Sequence, residues 1–222
     1  MISARKRWIG LPYRAGAIAL ITSVLLPAAL AQRGDSRDSW QQPDRVTADL
    51  NLRPGQTVAD IGAGGGYFTF RLASAVGQTG KVYATDIDAK PLQAVTDRAR
   101  REKFAQVETV LSAPTQTKLK DDCLEAALVC DVLHHVPKDQ RLPLVKDITR
   151  SLKPGGCLFL VDWRVDAKID ADKGRRIPRD ELVKLAADAG LTLDAEYHYL
   201  VHQVFLRMRK PAADTRSQVG VK

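Results

Sequence analysis

The stretch Val58-Ala-Asp-Ile-Gly-Ala-Gly-Gly-Gly-Tyr67, followed by Val82-Tyr-Ala-Thr-Asp-Ile-Asp88, decides how the rest of this 222-residue chain is read. Its order predicts a strand, a glycine turn, a helix and a second strand that ends in an acid. Gly62, Gly64, Gly65 and Gly66 let the backbone turn sharply and approach a ligand closely. Asp86, twenty residues beyond Gly66, is placed where a second parallel strand would deliver it to a ribose. That is a nucleotide-cofactor cradle.

On either side of this stretch, strands and helices alternate. Residues 43–50 read as a short leading helix, with Val46 and Leu50 on one face. Strands are expected at 57–61, 81–85, 107–111, 125–130 and 157–161. The helices between them are expected at 67–76 and 90–103, with a third ending near the Lys153-Pro-Gly-Gly156 turn. The uninterrupted apolar run of 125–130 suits a strand covered on both faces. Residues 178–189 form a final helix with Asp180 and Glu181 at its positive end. Extended runs at 191–199 and 201–208 then predict a hairpin that makes the last strand antiparallel. The alternation by itself supports an α/β fold.

Four segments in this order resemble the successive motifs of the class I S-adenosylmethionine (SAM) dependent methyltransferases over roughly residues 40–210. They are the glycine turn with Asp60, the second strand ending at Asp86, Leu128-Val-Cys-Asp-Val-Leu-His-His-Val136, and Leu152-Lys-Pro-Gly-Gly-Cys-Leu-Phe-Leu-Val161. The likeness is to the type 11 branch, similar to the ubiquinone and menaquinone methyltransferases. It implies a Rossmann-like α/β fold: a seven-stranded, mostly parallel sheet with an antiparallel C-terminal strand and helices on both faces. It also implies SAM as cofactor and methyl transfer; the acceptor is expected to be a small molecule, because no added recognition domain is read in the sequence.

Residue by residue, the resemblance puts Gly62, Gly64 and Gly66 along the methionine end of SAM, with Asp60 near its cationic groups. Asp86 takes the ribose hydroxyls and Ile87 lies against the adenine. Most relatives carry an acid after the third strand. This chain has Leu111-Ser-Ala-Pro-Thr-Gln-Thr-Lys-Leu119 there, so the adenine amine falls to the backbone of Ala113 or to the side chains of Ser112 or Thr115. Asp131, His134 and His135 follow the fourth strand at the carboxyl edge, where open α/β sheets place their crevice. They are the catalytic candidates: if the acceptor loses a proton, histidine is the base suited to neutral pH. One of the two histidines is expected to pack or cap instead. Adjacent histidines do not ligate one ion readily, so no metal is expected. Trp40, Gln41, Trp163, Arg164, Tyr197, His198, Tyr199, His202 and Gln203 are candidates for the acceptor pocket or for sheet packing.

The first residues address location. Arg5, Lys6, Arg7 and Arg14 precede or flank an apolar run over 15–30 that reaches Ala29-Leu-Ala31, the layout of a secretory signal cleaved before Gln32. This predicts a periplasmic or secreted protein. An uncleaved N-terminal anchor is the alternative, and the only expected membrane contact. The domain is then 32–210, with polar, flexible chain at 32–39 and a flexible tail at 211–222. Four of the 34 basic residues and none of the 26 acids lie before Gln32, so removing that segment halves the formal charge of +8. The remaining excess is ordinary and scattered, and no nucleic-acid partner is expected. Cys123, Cys130 and Cys157 form no CxxC pair and are expected to be free thiols, with Cys123–Cys157 the one disulfide left open.

Two other function classes share the cradle. An exported, non-catalytic SAM or nucleoside binder would keep the cofactor residues without turnover. A nucleotide-dependent oxidoreductase would share the turn and the ribose acid, but is not expected to end in the strand hairpin.

Overall fold

A computed structural model describes residues 36–168 and 173–212. The expected leader at 1–31 and the expected tail from 213 onward lie outside the described residues. Seven strands form one sheet: β1 (Thr57–Ile61), β2 (Lys81–Asp86), β3 (Val107–Leu111), β4 (Leu124–Cys130), β5 (Leu152–Trp163), β6 (Thr192–Tyr197) and β7 (Gln203–Arg209). Their order is β3-β2-β1-β4-β5-β7-β6. All pairings are parallel except those of β7 with β5 and β6. The expected architecture, including the antiparallel C-terminal strand, is what the chain adopts.

The central strands of the sheet are buried on both faces, and the strand sequences show why. Along β4 the side chains alternate between two apolar clusters. Leu124, Ala127 and Val129 join α5 (Lys138–Ser151) and α6 (Arg179–Asp188) on one side. Ala126, Leu128 and Cys130 join α2 (Pro43–Asp49) and α3 (Thr69–Val76) on the other. Leu92, Val95 and Ala99 of α4 (Ala89–Glu102) close a third cluster with Phe70 and Ala84. Their spacing of three and four residues is the buried stripe expected of that helix. Among the described residues no helix is long and apolar enough to cross a membrane. All three cysteines are free thiols.

Three boundaries differ from expectation. The chain over 36–39 is not flexible: Ser36–Gln41 forms a helix, α1. It has no apolar stripe, so periodicity could not reveal it; contacts to the sheet edge hold it. β5 begins at Leu152, directly after α5, and its pairing with β4 jumps from Leu124↔Leu152 to Ala126↔Cys157. Lys153-Pro-Gly-Gly156 is therefore a bulge inside a strand and not a turn before it. The final hairpin has a longer connection than the sequence suggested, because Leu200 turns inward and is 1% exposed.

The order places the crevice. The chain leaves β1 toward β2 on one side, while β4 pairs on the other. The carboxyl ends of β1 and β4 thus diverge at a topological switch point.

Candidate active site

The glycine turn fills this switch point. Gly62 and Gly64 have φ of +71° and +50°, a region that side-chain-bearing residues rarely adopt. Their surroundings differ. A Cβ on Gly62 would come within 2.5 Å of a methyl of Val132, the residue after Asp131, so this position must be bare for β1 and β4 to end side by side. A Cβ on Gly66 would strike Phe70 and Val95. At Gly64 and Gly65 nothing lies within 4 Å. The close approach read for all three alternate glycines thus divides into two kinds. Gly62 and Gly66 are bare for internal packing, and Gly64 faces open space.

Asp86 reaches back across this turn. One carboxylate oxygen accepts the Gly64 amide at 2.8 Å and the other accepts the Asp88 amide at 3.0 Å. Each oxygen keeps a further lone pair for a hydroxyl. A cavity of about 250 Å³ opens here, lined by Gly62, Asp86, Ile87, Ala113, Asp131 and His135, with Ser112, Val132 and Leu144 among its other walls. Ile87 is 64% exposed, an apolar side chain offered to the opening. The backbone of Ala113 is already engaged: its amide donates to Gln116 at 2.8 Å and its carbonyl accepts from Gln116. Ser112 also lines the cavity, while Thr115 does not. A second cavity, about 310 Å³, opens at the opposite strand edge among Leu50, Arg53, Glu125, Lys153 and Arg207 and contains no residue of the glycine turn.

Asp60 sits beneath the turn, 3% exposed, accepting a 2.6 Å hydrogen bond from the Thr69 hydroxyl. Burial pushes its carboxyl up to about 6, against the opposing pull of Thr69 and of the Arg37 charge. Asp131 has φ +58°, rare for a residue with a side chain. Its carboxylate accepts from Arg37 at 3.0 Å, from Gln41 at 3.0 Å and from Gln203. Burial raises its pKa, while Gln41 and Arg37 act in the other direction. Asp131 is thus the centre of a polar knot that ties α1 to the ends of β4 and β7.

The two adjacent histidines have different surroundings. His134 is 2% exposed and its Nδ1 lies 2.7 Å from Asp162. His135 is exposed, stands against the His134 ring at 4.0 Å between centroids, and lines the cavity. Asp162 was not anticipated; its signal was an acid closing the apolar run of β5. Trp40 lies 5.0 Å from Trp163 and 6.3 Å from His202, forming an aromatic wall beside the knot. Tyr197 and Tyr199 pack instead: Tyr197 stacks on Phe205 at 4.4 Å, and Arg45 lies over the Tyr199 ring.

Residues 58–156, which carry the glycine turn, Asp86 and the histidine pair, match the family model described as a methyltransferase domain. The cofactor this implies is S-adenosylmethionine. The chain is 28% identical over 113 residues to a demethylmenaquinone methyltransferase of Bacillus mycoides (strain KBAB4), covering 51% of this chain and 47% of that protein. The chain thus spans about half the length of the curated relatives it matches. Among solved structures, a SAM-dependent methyltransferase from Aquifex aeolicus superposes with a TM-score of 0.73 at 22% identity, covering 79% of this chain and 93% of that one. A protein of Bordetella parapertussis, described as a possible exported protein, superposes at 0.63 with 19% identity, covering 84% and 70%. At these identities the two structures establish the fold.

The residues present fit the cofactor. Gly64 and Gly65 leave a cradle that a Cβ would narrow. Asp86 keeps acceptor capacity at the same spot, and the cavity beyond it has an apolar wall in Ile87, Val132 and Leu144.

Proposed function

We propose that this protein transfers a methyl group from S-adenosylmethionine to a small-molecule acceptor. The observation that carries this reading is the Asp86 carboxylate held 2.8 Å from the Gly64 amide at the mouth of the cavity. A carboxylate there can accept two ribose hydroxyls while its own orientation is fixed by the backbone. When bound, the cofactor supplies a methyl group activated by a positive sulfur.

The remaining roles fall to the chain. Gly64 brings its backbone to the ligand. Asp60, Gly62 and Gly66 shape the turn, and Asp60 adds negative potential beneath the cationic end. Ile87 covers one face of the base, and Ser112 is better placed than the engaged backbone of Ala113 to address its edge. His135, open to the cavity, is the residue proposed to take a proton from the acceptor. His134 is buried against Asp162 and supports it from behind. Asp131 organises Arg37, Gln41 and Gln203, and with three donors on its carboxylate it is a poorer base than His135. Trp40 and Trp163 wall off water, and positioning supplies much of the rate. A small acceptor is supported by the curated relatives, which are named for demethylmenaquinone.

The test is to incubate the protein with S-adenosylmethionine and a panel of phenolic, enolic and amine acceptors and to measure S-adenosylhomocysteine. Acceptor-dependent formation, lost in His135→Ala, is the expected result. Tight cofactor binding with no turnover on any acceptor would favour a non-catalytic binder. Export is proposed from the layout of residues 1–31, with support from the Bordetella parapertussis neighbour. Its check is the N-terminus of the protein recovered outside the cytoplasm, expected at Gln32.

A further inference from the structure

Three acids surround the glycine turn: Asp60 below it, Asp86 across it and Asp131 at the end of β4. Among the described residues, the one cation that forms an ion pair with any of them is Arg37, 3.0 Å from Asp131. The amino-acid end of the proposed cofactor has the complementary pattern. It carries two positive centres, the ammonium and the sulfonium, and one carboxylate. The two cations find acids. The carboxylate, set among three acids with nothing to offset it, would be repelled.

We propose that Arg37 receives this carboxylate and thereby makes the site specific for a nucleoside that carries an amino acid. The inference rests on the cofactor reading above and goes beyond it, because it concerns a residue of α1, outside every motif that carried that reading. Three observations support it. First, the guanidinium is held in place: its carbon lies 4.0 Å above the ring centroid of Tyr67, the residue directly after the glycine turn. Second, the fork is only partly used. Nη2 donates to Asp131 and Nε to Gln41, while Nη1 makes no hydrogen bond among the described residues, and the side chain is 34% exposed. An arginine has five N–H donors and binds carboxylates in pairs, so it can keep Asp131 and accept a second carboxylate.

Third, the helix that carries it is anchored. Gln41, one turn further along α1 and 0% exposed, donates to Gln203 at 2.9 Å and to Asp131 and the Cys130 sulfur, each at 3.0 Å. Trp40 lies against Trp163. Arg37 is therefore placed by α1 in advance of any ligand, which lowers the entropic cost of using it.

The experiment is calorimetric titration of the full chain with S-adenosylhomocysteine and with its decarboxylated counterpart, which keeps the adenosine, the thioether and the amine. The wild type is expected to prefer the carboxylate-bearing ligand by about 10- to 100-fold, the range of a charged hydrogen bond. Arg37→Gln is expected to remove most of that preference by weakening S-adenosylhomocysteine alone, and Arg37→Lys to keep part of it as a point charge. Equal loss for both ligands in Arg37→Gln would mean that α1 merely shapes the wall, and would overturn the proposal. So would an unchanged preference. Wild-type protein that binds neither ligand would instead overturn the cofactor reading itself.

Discussion

The Nδ1 of His134 lies 2.7 Å from a carboxylate oxygen of Asp162, and neither side chain is more than 2% exposed. Asp162 also accepts the amide of Trp163 at 2.8 Å and the amide of His134 at 3.3 Å. One carboxylate therefore joins the end of β5 to the turn that presents His135. Asp162→Ala would strand all three donors inside the protein. It is predicted to destabilise the fold by about 3–5 kcal/mol, read from the shift in urea midpoint. Asp162→Asn keeps an acceptor and is predicted to lose less.

The glycines of the turn should separate into two phenotypes. Gly62→Ala drives a Cβ into Val132 at a positive φ, so it is predicted to lower stability by about 2 kcal/mol or more. Gly64→Ala meets no neighbour, and only its φ is unfavourable, at about 1 kcal/mol. Its methyl would project into the cradle instead, so cofactor affinity is predicted to fall at least tenfold while thermal unfolding changes little. Paired unfolding and binding measurements on the two variants check this.

Asp60 should reveal itself through pH. Its pKa is about 6 in the folded protein against an ordinary 3.8, raised by burial. The folded state thus holds a proton that the unfolded state releases between about pH 4 and 6, and stability from this group falls as pH rises through that window. The stability of Asp60→Asn relative to wild type is predicted to improve by up to about 3 kcal/mol between pH 4 and pH 7. A cationic ligand above Asp60 favours its charged form, so binding near pH 6 should release protons. Calorimetry in two buffers of different ionisation enthalpy measures that release; proton uptake, or none, would count against a cation at this place.

Much of the fold was legible because its signals are local. The acid-ended apolar runs, the glycine turn and the buried stripe of α4 each lie within one element. These signals alone place Asp86, Ile87 and Gly62 at one edge of the sheet. What escaped depends on contacts between distant segments. α1 has no apolar periodicity and is held through Arg37–Asp131, Gln41–Gln203 and Trp40–Trp163, pairs separated by roughly 90 to 160 residues. His134 and His135 are neighbours in sequence, but only the position of Asp162 on β5 shows which is enclosed. Ala113 kept its expected place at the cavity, yet its bridge to Gln116 occupies the backbone groups that were expected to serve the ligand.

In the proposed function, the Asp86 carboxylate, set at the glycine turn, holds the ribose of S-adenosylmethionine. Isothermal titration of the purified protein with S-adenosylmethionine and with NAD, for wild type and Asp86→Ala, tests it most directly. Micromolar binding of S-adenosylmethionine, no heat with NAD, and loss of binding in the variant are expected. Silence with S-adenosylmethionine, or binding that Asp86→Ala leaves intact, would contradict it.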